Sequence, residues 1–292
     1  STNHAIHLVA VARAAGVLIN WDDLDELSQA TPLLTRIYPN GQADVNEFHE
    51  VGGLSVVIRE LLDAGLLHPD IACVHGGDLY DQAKQPYLED DKLYWREGAK
   101  VSKDTDILRP VASPFAPEGG LRLLQGNLGR AMVKISAVDE VHRRIQAPAR
   151  IFESQEDFLA AFADASLTGD FVAVIRRQGP KANGMPELHK LTPTLQVLQD
   201  RGQRVALLTD GRMSGASGTV LAAIHVVPEA LGDGPIAKLE DGDEILIDAN
   251  AGLMQVNVDS AVFEQRRAAQ PDTSSTFGCG RELFALERAH VS

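Results

Sequence analysis

The second half of the chain alternates short apolar segments with helical ones, and this alternation restricts the folds that it can adopt. Two continuous apolar runs of β-strand length are Phe171–Ile175 and Val205–Leu208. Leucines at helical spacing lie between them and are followed by Gly202. Further short strands are predicted at Leu121–Leu124, Val133–Ile135, Ala149–Phe152, Ile236–Leu239, Ile245–Ile247 and Met254–Val258. Strands with interleaved helices predict a β-barrel or mixed β domain with helical insertions.

The first part of the chain is predicted to be mainly helical. Residues 6–13 are apolar on most sides, which is typical of a buried helix, and residues 54–62 have apolar side chains at helical spacing. The periodicity fades from residue 68 to about 114, which indicates a long connecting region. We therefore predict an α/β protein. Residues 1–112 are the helical remainder of an α/β domain with a linker, and residues 113–292 are a mixed β-barrel domain with helical insertions.

Composition and charge argue against several classes of protein. The chain of 292 residues carries 27 Lys and Arg against 41 Asp and Glu, a formal net charge of −14, which argues against nucleic acid or an anionic membrane as a partner. No apolar run approaches the ~18 residues that span a bilayer, and no basic-then-apolar signal pattern occurs at the N-terminus. The two cysteines, Cys73 and Cys279, cannot form a disulfide framework or a cysteine-rich metal site. We expect a cytoplasmic protein with neither nucleic-acid nor membrane partners.

The densest polar cluster is the segment 209–218, TDGRMSGASG, which directly follows an apolar strand. A strand that runs into a Gly/Ser loop exposes backbone N–H groups to a carboxylate or phosphate. Arg212 adds a fixed fork of donors for the same anion. Ser214, flanked by small residues, could act as a nucleophile or base. A tight turn in which Asp210 and a serine cap the backbone explains the same composition.

Two other segments also carry polar groups that could bind a ligand. Residues 176–190 follow a strand and open a helix, and Glu187 in the first helical turn could ligate Mg²⁺. An ordinary carboxylate at a helix start is the alternative. The opening residues STNH place Thr2 and Asn3 at the start of an apolar helix, where a helix cap is an adequate explanation.

Together these segments resemble one family, the dihydroxyacid dehydratase/6-phosphogluconate dehydratase family. The segment 209–217 (TDGRMSGAS) is similar to the family's second signature, residues 1–4 (STNH) to its Gly-Ser-Thr-Asn motif without the leading glycine, and residues 125–129 (QGNLG) to another landmark. Further segments resemble the branch of the family that acts on 6-phosphogluconate: 178–191 (QGPKANGMPELHKL), 38–41 (YPNG) and 95–98 (WREG). The resemblance extends over essentially the whole chain.

The resemblance implies a hydro-lyase of the Entner–Doudoroff pathway. Its substrate would be the phosphorylated sugar acid 6-phospho-D-gluconate, which loses water to give 2-dehydro-3-deoxy-6-phospho-D-gluconate. It implies an iron–sulfur cluster of the 4Fe-4S kind, Mg²⁺ and a homodimer. By motif position, Ser214 would be the base that takes the C2 proton, and Glu187 a Mg²⁺ ligand. Asp210, Arg212 and Lys181 would position the substrate or the loops, and Thr2 and Asn3 would line the pocket.

The chain departs from the family in what it lacks. The family's cluster-binding cysteines and its other metal ligands lie in the N-terminal half of the full enzyme. We therefore expect the chain to be the C-terminal half of a dehydratase, with the end of the cluster-bearing α/β domain in residues 1–112, and to be catalytically inert alone. Alternatives are a dihydroxyacid or other sugar-acid dehydratase and a non-catalytic sugar-acid-binding or dimerisation domain.

Overall fold

The computed structural model describes residues 2–74, 76–213, 218–270, 278 and 280–290. These residues form two compact units: one within Ser1–Asp25 and Leu121–Ser292, the other Glu26–Gly120. The division that we predict between residues 112 and 113 stays a prediction.

The described helices are short. They are α1 (His4–Ala14), α2 (Trp21–Ala30), α3 (Val45–Glu50), α4 (Gly53–Asp63), α5 (Gln155–Ala163), α6 (Pro180–Asn183), α7 (Leu191–Asp200), α8 (Ser260–Gln265) and α9 (Ala285–His290). Within the described residues, no helix has both the length and the apolar character needed to span a bilayer.

The strands form a hairpin and a barrel. They are β1 (Gln85–Glu89), β2 (Lys92–Arg96), β3 (Leu121–Gly126), β4 (Gly129–Lys134), β5 (Arg144–Phe152), β6 (Phe171–Ile175), β7 (Val205–Thr209), β8 (Leu221–Val227), β9 (Glu244–Asp248) and β10 (Leu253–Val256). The closed barrel has the order β10-β3-β4-β8-β7-β6-β5-β9. Strands β5, β6, β7 and β8 run parallel to one another, and β10 is parallel to β3. The pairs β3–β4, β4–β8, β5–β9 and β9–β10 are antiparallel. The predicted mixed barrel with helical insertions is confirmed.

Strands β6 and β7 are continuous apolar runs because both of their faces are covered. Every residue of both strands is buried. Val172 and Val174 belong to the core inside the barrel, whereas Phe171 and Ile175 pack in a second core with residues of α5 and α7 such as Phe158. A strand buried on both faces does not alternate apolar and polar residues.

The segment 125–129 forms the turn between β3 and β4 with the strand ends beside it, and it contacts β10. The Asn127 side chain donates to the carbonyl of Val256 at 2.9 Å and accepts from its N–H at 2.8 Å. A Cβ on Gly126 would lie 1.9 Å from the carbonyl oxygen of Met254. This landmark therefore joins β10 to the first hairpin of the barrel.

One predicted strand is wrong, and three observed strands are missing from the prediction. The segment 236–239 is not a strand, because Pro235–Lys238 is a 3-10 helix whose first position suits a proline that lacks an N–H. Strand β8 is absent from the predicted strands. The β1–β2 hairpin is also absent from the prediction, because β2 is exposed throughout and its sequence does not alternate apolar and polar residues. Its turn is formed by Asp90 and Asp91, both with positive φ.

The N-terminal helix α1 is less buried than its composition predicts. Only Ala5 of this helix is buried, and Leu8 and Val11 are 46% and 66% exposed. Asn3 occupies the N-cap position without a side-chain capping bond, so the predicted cap is wrong.

Candidate functional site

The candidate site is built from loops that follow three parallel strands. Strands β6, β7 and β8 are neighbours in the barrel, so their carboxyl ends lie at one edge. The loops at this edge are 176–190, 210–213 and 228–230. In sheets with parallel strands, ligands bind at this kind of edge.

The Asp210 carboxylate joins all three loops. It is 1% exposed and accepts hydrogen bonds from the backbone N–H groups of Arg177 at 3.0 Å, Gln178 at 2.8 Å and Ala230 at 2.9 Å. Burial raises the pKa of the Asp210 carboxyl, although the three donors act in the opposite direction. This geometry suits the loop-positioning alternative that the sequence analysis leaves open for Asp210.

The carboxylate of Glu229 makes a second connection between these loops. It accepts from the N–H of Lys181 at 2.9 Å and from the N–H of Ala182 at 3.1 Å, in the first turn of α6. A Cβ on Gly179 would lie 2.4 Å from Glu229 Oε2, so glycine is needed for this approach. The sequence does not mark Glu229 as a site residue, because nothing local distinguishes this glutamate from a solvated one.

Arg212 connects the β7 loop to the β6 loop through Glu187. Its Nη1 pairs with the Glu187 carboxylate, and its Nε donates to the carbonyl of Met185 at 2.7 Å. Arg212 and Glu187 also form an isolated parallel β-bridge, so the predicted position of Glu187 in a first helical turn is wrong, since α7 begins only at Leu191. The N–H of Leu188 donates to the carbonyl of Arg212 at 3.1 Å. The structure thus brings together two of the residues predicted for the site.

The start of α1 reaches the same loop. The hydroxyl of Thr2 is buried and donates to the carbonyl of Met213 at 3.1 Å, while Asn3 Oδ1 is buried and has no hydrogen-bond partner among the residues that the structure describes. Ser214 follows Met213 directly in the sequence, but Ser1 and Ser214 lie outside the described residues.

Two cavities adjoin these residues. One of about 560 Å³ is lined by Arg212 together with residues of α1, α6 and α9. The other, of about 680 Å³, is lined by Lys181, Asp210 and His225. Burial, followed by the nearby Arg212 charge, lowers the pKa of His225 to about 4, so this imidazole is neutral at pH 7. The sequence alone does not mark His225 for a site, because its spacing to the other histidines gives no metal-site pattern.

The described residues do not complete a site for Mg²⁺ or for an iron–sulfur cluster. Within this part of the chain, no group of three or more His, Cys, Asp or Glu side chains is placed to hold a metal ion. Glu187 offers one carboxylate, which is paired with Arg212. Cys73 is a free thiol in the other compact unit, and Cys279 lies outside the described residues. A cluster needs three or four thiolates.

Comparison with known proteins agrees with the motifs. The family model "Dihydroxy-acid/6-phosphogluconate dehydratase C-terminal" matches residues 106–292, and the corresponding N-terminal model matches residues 1–82. The chain is 55% identical over 292 residues to the phosphogluconate dehydratase of Pseudomonas aeruginosa, covering 100% of this chain and 48% of that protein.

Two other relatives show the same partial coverage. The chain is 52% identical over 293 residues to the phosphogluconate dehydratase of Escherichia coli K12, covering 100% of this chain and 49% of that protein. It is 39% identical over 269 residues to the dihydroxy-acid dehydratase of Sulfurisphaera tokodaii, covering 91% of this chain and 45% of that protein. The chain thus spans about half the length of the curated relatives it matches. These matches confirm the resemblance of the motifs: the chain belongs to the dihydroxy-acid/6-phosphogluconate dehydratase family.

Proposed function

We propose that the whole protein containing this chain is a hydro-lyase that dehydrates 6-phospho-D-gluconate to 2-dehydro-3-deoxy-6-phospho-D-gluconate in the Entner–Doudoroff pathway. The observation that carries the proposal is the Arg212–Glu187 pair, which joins the signature segment 209–217 to the segment 178–191. The relatives named phosphogluconate dehydratase match over the full chain at 55% and 52% identity.

The reaction requires removal of a proton that is only weakly acidic. Carbon 2 of the substrate lies beside a carboxylate, so a base must remove its proton while positive groups stabilise the enediolate-like charge. In this proposal Ser214 is the base and Arg212 stabilises the charge at the carboxylate end. The C3 hydroxyl departs and the enol ketonises. No group of the described chain is assigned to the departing hydroxide.

The remaining residues act by positioning. Asp210 fixes the three loops through backbone N–H groups, and Thr2 holds the carbonyl next to Ser214. The side chain of Lys181 lines the cavity of about 680 Å³. Asn3, whose buried amide oxygen has no partner among the described residues, stays a proposed residue of the pocket wall, because it lines neither cavity.

The cofactors belong to the proposal about the whole protein. Glu187 is proposed as one Mg²⁺ ligand, and the iron–sulfur cluster requires cysteines that the described residues do not supply. A homodimer in the cytoplasm is also proposed; light scattering with size-exclusion chromatography tests the dimer.

The assigned roles are tested by variants of the whole protein expressed without oxygen, with iron and sulfide measured. Ser214→Ala should abolish both turnover of 6-phosphogluconate and exchange of its C2 proton with D₂O, while Ser217→Ala, three residues further along the sequence, should retain both. Glu187→Gln should weaken the Mg²⁺ dependence of turnover. C2 proton exchange at the wild-type rate in Ser214→Ala would show that Ser214 is not the base.

The alternative functions are tested by the choice of substrate. The 39% relative named dihydroxy-acid dehydratase makes a dihydroxy acid the second substrate to assay. If the protein turned over only the dihydroxy acid, that acid would be its substrate and not 6-phosphogluconate. Binding of 6-phosphogluconate without turnover of any acid by the iron-loaded protein would support a non-catalytic sugar-acid-binding domain.

A further inference from the structure

His225 occupies a β-bulge in β8. Between the pairs Arg130↔Val227 and Met132↔Ile224, β8 contains one more residue than β4. His225 lies at this irregularity with φ +58°, a left-handed conformation that is uncommon for residues other than glycine. Its N–H donates to the carbonyl of Gly211 at 3.0 Å. Bulges re-aim side chains and are frequent beside active sites.

The imidazole of His225 is buried without a hydrogen-bond partner. The residue is 3% exposed, and neither Nδ1 nor Nε2 has a partner among the residues that the structure describes. Its only described ring contact is Trp21, with centroids 6.3 Å apart, and this contact satisfies neither nitrogen. Buried polar groups are nearly always paired, so two unpaired nitrogens on one ring indicate a partner from outside the described chain.

The ring lines the cavity of about 680 Å³, whose walls are largely apolar. The two acidic residues that line it, Asp210 and Glu229, are already engaged by backbone N–H groups. Arg13 and Lys181 also line the cavity and supply positive charge. The ring nitrogens of His225 are therefore buried polar atoms of this wall that have no partner among the described residues.

The chemistry of a neutral imidazole selects the ligand group. Because the pKa of His225 is lowered to about 4, the ring presents one donor and one acceptor at neutral pH. An alcohol hydroxyl can both donate and accept. A carboxylate or phosphate only accepts, so it would leave the acceptor nitrogen unpaired.

We propose that His225 is a substrate-binding residue that hydrogen-bonds a non-reacting hydroxyl of the polyhydroxy acid, at C4 or C5, in this cavity. The inference rests on the proposed function, since it takes 6-phosphogluconate as the ligand. It assigns the distal part of the sugar chain to the His225 cavity.

A double-mutant cycle with the whole protein tests this assignment. The substrates are 6-phosphogluconate and its 4-deoxy and 5-deoxy analogues, and the variants are His225→Leu and His225→Asn. The wild type should lose about tenfold in kcat/KM on one analogue, the size of one hydrogen bond. On the natural substrate, the kcat/KM of His225→Leu should be about tenfold below that of the wild type. Removing the substrate hydroxyl, as in that analogue, should lower the kcat/KM of this variant no further.

His225→Asn covers the case in which the leucine variant does not fold. Asparagine tolerates a left-handed backbone but is too short to replace the ring. The ratio of kcat/KM on the natural substrate to kcat/KM on the analogue should therefore be at least threefold smaller in His225→Asn than in the wild type. His142, which also has an unpartnered ring nitrogen but does not line the cavity, supplies the control: His142→Leu should discriminate as the wild type does.

The outcomes separate the two proposals. Wild-type protein that does not turn over 6-phosphogluconate contradicts the proposed function. Wild-type turnover combined with unchanged discrimination in both His225 variants overturns the His225 assignment alone. Equal kcat/KM of the wild type on the natural substrate and both deoxy analogues overturns it as well.

Discussion

The guanidinium of Arg212 pairs with the carboxylate of Glu187 while its Nε donates to the carbonyl of Met185 at 2.7 Å. One side chain thus fixes a carboxylate and a backbone carbonyl that lie on a loop from a different strand. The two residues are also β-bridge partners, so the backbone holds their side chains together. The site therefore depends on the directions in which the arginine nitrogens donate, and not only on the positive charge.

Replacing Arg212 by lysine tests this requirement. Lysine keeps the charge but cannot contact Glu187 and Met185 in fixed directions. In the whole protein, Arg212→Lys should lower kcat/KM for 6-phosphogluconate by about a hundredfold, the scale of a misplaced catalytic group. Arg201→Lys, at the C-cap of α7, is the control and should retain activity. Wild-type kcat/KM in Arg212→Lys would show that charge alone suffices.

Replacing Asp210 by asparagine tests the loop anchor. Asparagine has one acceptor oxygen, and its NH₂ group would face backbone donors. We expect Asp210→Asn to lower the free energy of unfolding by about 3 kcal/mol, measured by urea denaturation. Asp164→Asn, exposed at the end of α5, should change it by less than about 0.5 kcal/mol. Equal stability of the two variants would contradict the anchoring role.

The pH dependence of stability should reveal the buried neutral His225. Its pKa is lowered from 6.5 to about 4, so between these values the unfolded state binds more protons than the folded state. The free energy of unfolding should therefore fall as the pH drops through this window, by about 3 kcal/mol for this group. His225→Asn should make the fall in urea midpoint between pH 6.5 and pH 4 shallower; an unchanged slope would contradict the burial of a neutral ring.

A single methyl group tests the packing of Glu229 against α6. Gly179 has φ −69°, which alanine adopts without strain, but the new Cβ would lie 2.4 Å from Glu229 Oε2. Gly179→Ala should cost about 2 kcal/mol in thermal or urea unfolding. Gly232→Ala, whose Cβ would meet nothing within 4 Å, should be nearly neutral, and a neutral Gly179→Ala would mean that Glu229 moves freely.

The fold could be predicted from the sequence where local patterns decide it. The continuous runs of β6 and β7 and the cap of α5, where Ser154 accepts from the N–H of Asp157 at 3.1 Å, follow from residue types close together in the chain. The exposed strand β2 does not, because it forms by pairing with β1 and has no buried face that would impose an alternating pattern. The 3-10 helix Pro235–Lys238 does not either, because its short apolar run has only a weak local preference.

The site could be predicted only where motifs mark it. Arg212 and Glu187 lie in recognisable segments, and the structure pairs them. Glu229 and His225 lie in no recognised motif, and their roles depend on neighbours far away in the chain, such as the α6 N–H groups and the β4 register. Such roles can be recognised only in the folded structure, where residues far apart in the chain are neighbours.

The most direct test of the account is steady-state turnover by the whole protein, prepared without oxygen, on 6-phosphogluconate and on a dihydroxy acid in parallel. Formation of the 2-oxo product is measured for each substrate. The account predicts a kcat/KM at least a hundredfold higher for 6-phosphogluconate. A preference for the dihydroxy acid, or no turnover of 6-phosphogluconate by protein that contains its iron and sulfide, would contradict it.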